Sequence, residues 1–160
     1  MTKRRKKGQS IVELAVGLMA LVPIVLVVFD LAIIVIGVQI NDSTCREAAR
    51  VAASGNPTDA NARATAVVAR ANQRSQSMLS NFTLVKVDAT TQAPWPSMNA
   101  QLASLQTYGG PVQGTVTVQT EVDIKPFIVE YAYNGKSPLK FVSQQTFPFT
   151  YVVPNSAPTL

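Results

Sequence analysis

Residues 14–38 read LAVGLMALVPIVLVVFDLAIIVIGV, and Asp30 is their only charged residue. As an α-helix this run is roughly 38 Å long, against about 30 Å of bilayer hydrocarbon. A removable secretory signal has an apolar core of only about 7 to 15 residues with a small-x-small cleavage site behind it. This run is longer, and Ala-x-Ala is absent at its end. It also lacks the polar stripe of a surface helix. It therefore reads as a transmembrane helix, assigned to residues 9–40. Pro23 removes one backbone hydrogen bond in mid-helix and is expected to kink or locally unwind it. Gly17 and Gly37 lower the helix propensity further.

Toward the N-terminus stand Lys3, Arg4, Arg5, Lys6 and Lys7. The chain of 160 residues has 14 Lys+Arg against 9 Asp+Glu, a net charge of +5. The basic run alone accounts for that excess, and the remaining basic residues balance the acidic ones. A basic chain raises nucleic acid as a partner, but a neutral remainder gives it no support. Basic residues flanking a spanning helix stay in the cytoplasm, so the C-terminal part is expected outside it. There is no histidine and one cysteine, Cys45. An intramolecular disulfide and a thiolate zinc site are thereby excluded, and the commonest general base is missing. Cys45 reads as a small buried apolar residue. Neither cofactor nor metal is expected.

Toward the C-terminus, residues 42–54 (DSTCREAARVAAS) are Ala-rich, with Glu47 and Arg50 three apart. This favours one continuous helix of about 45 residues, stopped by Gly55 and Asn56. Asn56 then caps a second helix with Pro57 at its first position. Ala60, Ala64, Val67, Val68, Ala71 and Met78 follow its apolar stripe; Arg63, Arg70 and Arg74 lie off it, as a solvated face or a phosphate-binding row. Phe82–Asp88 is a short strand candidate. Residues 114–124 alternate, with Val116, Val118, Val122 and Ile124 on one face. Residues 141–153 alternate too, with Phe147, Phe149 and Tyr151 together and Pro148 marking an edge strand. Asn134-Gly135 signals a turn between these two strands. Residues 89–111 read as a loop with one helical turn at Ser97–Leu105.

The expected class is α+β: a long N-terminal transmembrane helix continuing into a small globular head of helix plus antiparallel sheet. The divisions are a basic leader at 1–8, the spanning helix at 9–40, a helical stalk and second helix at 41–80, sheet and loops at 81–153, and a tail at 154–160. The sheet needs one face covered, and the amphipathic helices are the cover. Glu121, Asp123 and Glu130 offer carboxylates for an envelope hydrolase. Glu121 and Asp123, however, lie on the polar face of a strand, where solvated residues belong, and the chain does not read as an enzyme.

The junction of the basic and apolar runs carries the functional signal. Gly8 stands before the apolar segment and Glu13 five residues after it. A protease cutting after Gly8 would leave Gln9 with a free α-amine, one helical turn from Glu13. A carboxylate at the mouth of an apolar helix is costly when unpaired, and an amine, its own or a neighbour's, offsets that cost. Asp30 is either an acid reaching the outer interface or an intramembrane functional group.

These residues resemble the prepilin signal of type IV pilin-like proteins. GQSIVELA, then FDLA, then CREAARVAASG are similar to the N-terminal region of the TadE-like family, minor pilins or pseudopilins of the bacterial tight-adherence pilus. The resemblance covers roughly residues 7–55. It implies processing between Gly8 and Gln9 by a prepilin peptidase, with Glu13 as the assembly carboxylate. It implies a type IV pilin-like fold and a chain in the inner membrane, with its head periplasmic or extracellular or built into a pilus. The implied partners are the major pilin and other minor pilins, the pilus platform membrane proteins, the secretion ATPase complex and membrane lipid, and no nucleic acid. Two features depart from the family pattern: no basic residue follows Asp30 closely, and Cys45 stands where a small residue is usual. The alternative is an uncleaved single-pass envelope protein whose outer domain binds a partner, with Trp95, Tyr108, Tyr131 and Tyr133 as anchors.

Overall fold

The computed structural model describes residues 5–74, 79–91, 97–106, 109–126 and 138–155. Helix α1, Arg5–Ala52, has 48 residues and is about 72 Å long. Its most apolar window reaches a mean hydropathy of 3.0, enough in length and composition to cross a membrane once. The helix runs unbroken through Pro23, so the local unwinding expected there does not occur. Leu18, Met19, Ala20 and Leu21 precede it, and one missing bond does not break a helix flanked by good helix formers.

Gly55 ends α1 with φ 89°, a left-handed conformation that costs other residues strain. Asn56 then caps a 3₁₀ turn, Pro57–Asp59, its side chain accepting from the Thr58 amide at 3.1 Å. Helix α2, Ala60–Arg74, follows directly and turns back along α1, burying Ala60, Ala64, Val67 and Val68. Met78 lies outside the described residues.

Strands β1 (Leu79–Thr91), β2 (Gly110–Ile124) and β3 (Leu139–Val153) form one antiparallel sheet in the order β1-β2-β3. Helix α3, Met98–Leu105, capped by Ser97, links β1 to β2. The central strand β2 buries every second residue from Val112 to Ile124 under α1 and α2. Both flanking strands are longer than alternation suggests, and residues 89–91 and 110–111 are strand, not loop. Proline is tolerated at Pro111 because β1 pairs with β2 only as far as Gly114, leaving Pro111 bonded on one side alone. Pro148 sits on the edge strand β3, where a missing donor can face outward. Asn134-Gly135, between β2 and β3, lies outside the described residues.

Candidate functional site

Gly8 and Gln9 fall near the start of the helical backbone of α1; their side chains lie outside the described part. Glu13 is the sole charged residue from Ser10 to Phe29. It sits among exposed apolar neighbours, Ile11 at 68%, Val12 at 64% and Leu14 at 65%. None of the ion pairs among the described residues involves it. Ser10, Glu13, Leu14, Gly17, Leu18 and Leu21 line one shallow groove. A Cβ at Gly17 would meet nothing within 4 Å. The groove is therefore a bare notch, of the kind that lets a second helix backbone come close.

Asp30 stands about 25 Å further along the axis. It is 1% exposed and held by a polar interaction. This is the first buried residue of α1 past Ser10, and the head begins to cover the helix here. Ile33 and Ile34 then pack against Val68, Phe82, Val122 and Ile124. Gly37, Asn41, Cys45, Ala48, Ala49 and Ala52 continue the same buried face, at spacings of three and four. Apart from Asn41 these are small residues, so α1 lies close on the sheet.

Closeness turns the seam polar where the helix meets strand carbonyls. The Asn41 side-chain amide donates to Phe141 O at 3.1 Å and to Thr120 O at 3.5 Å, and its carbonyl accepts from the Thr120 hydroxyl at 2.9 Å. The single Cys45 S–H is shared between two carbonyls, Val118 O at 3.3 Å and Ser143 O at 3.4 Å. Asp42 Oδ1 accepts from the Ser143 hydroxyl at 3.1 Å and from Gln145 at 3.0 Å, and its other oxygen pairs with Arg46. Partial desolvation raises the Asp42 carboxyl, but those two hydrogen bonds and the Arg46 guanidinium outweigh it and hold the group below its ordinary value of 3.8.

Arg63 is not a solvated residue. Its guanidinium donates to Val51 O at 3.0 Å, Ala52 O at 2.8 Å and Asn56 O at 2.7 Å. Of these, the Ala52 carbonyl is one that the end of a helix leaves without a backbone partner, whereas Val51 O also accepts from the Ser54 amide and hydroxyl, and Asn56 O from the Asp59 amide. Arg70 and Arg74 are exposed. Glu121 and Asp123 face outward on β2 and both meet Lys140. The hydrogen bond to Glu121 and the charges of Asp123 and Glu121 raise the Lys140 ammonium above 10.5. Glu130 lies outside the described residues. Among the described residues no group of three His, Cys, Asp or Glu is placed to hold a metal ion.

Thr120 could have been read from sequence: it is the one polar residue among Val116, Val118, Val122 and Ile124, on the buried register. A hydroxyl there needs a partner. That the partner is Asn41, 79 residues away, has no local signature. Comparison of the chain with protein-family models, curated proteins and solved structures finds no match.

Proposed function

We propose that this chain is a pilin-like subunit, a TadE-like minor pilin or pseudopilin that works in assembly of a tight-adherence pilus. The observation that supports it best is the length of the exposed apolar face of α1. From Ser10 to Phe29 the helix covers about 30 Å, which fills the hydrocarbon of a bilayer. The head begins at Asp30, yet the opposite face stays apolar for ten more residues. Leu31 is 53% exposed, Val35 54%, Ile36 53%, Val38 38% and Ile40 37%. A simple anchor has no use for apolar surface beyond the membrane. A helix that leaves lipid to pack beside other helices does.

In this reading a prepilin peptidase cuts after Gly8, and the Gln9 α-amine becomes the new terminus. Glu13, unpaired within its own groove, compensates a neighbour's amine as the apolar helices pack side by side. Sequencing the N-terminus of chain extracted from membranes containing the peptidase tests the first step, with Gln9 as the expected residue. A chain that still begins at Met1 sinks the proposal. Glu13→Gln should leave cleavage intact and abolish incorporation with partner pilins.

One observation favours the alternative of an uncleaved envelope protein that binds a partner. An open cavity of about 620 Å³ lies at the end of the head away from Asp30, lined by Pro57, Thr58, Thr90, Thr91, Ser97 and Met98 among others. Gly8→Val separates the two: an adaptor keeps its partner binding, whereas a pilin fails to mature.

A further inference from the structure

The base of the head is built from elements that all end or begin beside one stretch of α1. Ile124, at the end of β2, shares a cluster with Ile33 and Ile34. It also pairs with Leu79 and Leu139, where β1 and β3 begin. Helix α2 starts near Ala52, where Arg63 grips the end of α1, and has returned to this base by Arg74. Phe29, the last residue of the exposed apolar segment, lies just below.

Exposed cations gather here. Lys125 directly follows Ile124, and Arg74 ends α2, with Arg70 one turn before it. Lys140 is also at this end but is committed to Glu121 and Asp123. No ion pair among the described residues engages Arg70, Arg74 or Lys125. Spacings of seven and four put Arg63, Arg70 and Arg74 on one side of α2. Arg63 reaches α1 from that side, so Arg70 and Arg74 follow the same flank of α1 toward the apolar segment.

The distances suit a phosphate layer. Ile124 belongs to the cluster that Ile33 and Ile34 pack against, those two stand about 6 to 8 Å beyond Phe29 along the helix axis, and Lys125 is the next residue in the chain after Ile124. Headgroups occupy about 5 to 7 Å outside the hydrocarbon on each side, and long basic side chains extend their charge into that layer. A second copy of the chain is a poorer match. Its surface acids are mostly taken, Asp42 by Arg46, Asp88 by Lys86, and Glu121 and Asp123 by Lys140.

We infer that Arg74 and Lys125 seat the base of the head on the phosphates of acidic phospholipids in the leaflet it faces; this rests on residues 10–29 spanning the bilayer. Arg74 supplies a two-pronged donor and Lys125 a point charge. The consequence is a head held at a fixed height and azimuth on the membrane before assembly, so that extraction into a partner complex has to break these contacts.

The test uses the full chain reconstituted in phosphatidylcholine vesicles with spin-labelled phosphatidylglycerol or phosphatidylcholine as the reporter lipid. The native chain should hold phosphatidylglycerol in preference. The Arg74→Gln/Lys125→Gln chain should lose that preference several-fold, with about fivefold per cation as the ceiling. Arg74→Lys/Lys125→Arg should keep it. The basic leader lies at the other face and is present in all three, so it cancels in the comparison. Equal preference in the native and glutamine chains overturns the assignment, as does a preference that inorganic phosphate removes and sulfate at equal ionic strength does not. Failure of the spanning premise shows separately, as chain released from vesicles by alkaline carbonate.

Discussion

Replacing Asn41 with Ala removes the centre of the helix–sheet seam. Asn41 is 1% exposed and Thr120 fully buried. The substitution deletes hydrogen bonds at 2.9 and 3.1 Å, each worth ~1 kcal/mol net. It also leaves the Thr120 hydroxyl buried without its acceptor, at a further cost of about 1 to 2 kcal/mol. The total is ~3 kcal/mol, or about 10 °C in Tm for a head of this size. Thr120→Val alone should cost ~1.5 kcal/mol, because the Asn41 carbonyl loses its donor. The double variant Asn41→Ala/Thr120→Val should cost clearly less than the sum of the two, with a coupling of about 1 kcal/mol. Thermal and urea unfolding of the detergent-solubilised chain, followed by circular dichroism, reads all three. Additivity to within about 0.5 kcal/mol would show that the two side chains act independently, and the account of the seam would be wrong.

Other sites give distinct signatures. A Cβ at Gly114 would lie 2.1 Å from Thr90 O and 2.8 Å from a Phe149 ring carbon, so Gly114→Ala should cost ~3 kcal/mol by overpacking in the same unfolding assay. Arg63→Ala should lose ~2 kcal/mol by removing the charged donor that the Ala52 carbonyl relies on and that Val51 O and Asn56 O share with other donors, and hydrogen exchange should speed up first in the last turn of α1. Asp42 titrates below its unfolded value, so its stabilisation is present above pH 3.8 and is lost as pH falls through its folded pKa. Lys140 titrates above its unfolded value, so its contribution is full below pH 10.5 and is lost as pH rises through its folded pKa. Unfolding measured across pH should therefore plateau between these limits, and Asp42→Asn should shrink only the acid limb.

What could be read beforehand follows from how local each signal is. The apolar run, the Gly55 stop and the Asn56-Pro57 restart are written in adjacent residues, and the structure has α1, the 3₁₀ turn and α2 there. The alternation of Val116, Val118, Val122 and Ile124 identified a half-buried strand for the same reason. Strand ends were hidden because Ala89 and Gly110 carry weak strand propensity and Thr90-Thr91 show no apolar alternation, so that only pairing with β2 or β3 marks them as strand. Arg63 looked like a surface cation because its partners are backbone carbonyls, which leave no mark in a sequence. The depth at which the head meets the helix was equally hidden. Residues 31–38 are as apolar as those before Asp30, and it takes the packing of Ile33 and Ile34 to distinguish core from exposed apolar surface. The candidate site splits in the same way: Gly8 and Glu13 stand out by spacing, whereas the Asn41, Asp42 and Cys45 contacts join residues 73 to 103 positions apart.

The unbroken α1 with its tight seam has a mechanical consequence. The helix is unbroken between its exposed apolar half and the half clamped to the sheet, so the two form one lever. Some 23 residues, roughly 35 Å, lie between Asp30 and Ala52, and a 10° tilt of the lower half swings the far end by roughly 6 Å. Any force that reorients the lower half is thus delivered undamped to the outer end of the head, and a glycine pair inserted near Asp30 should uncouple them.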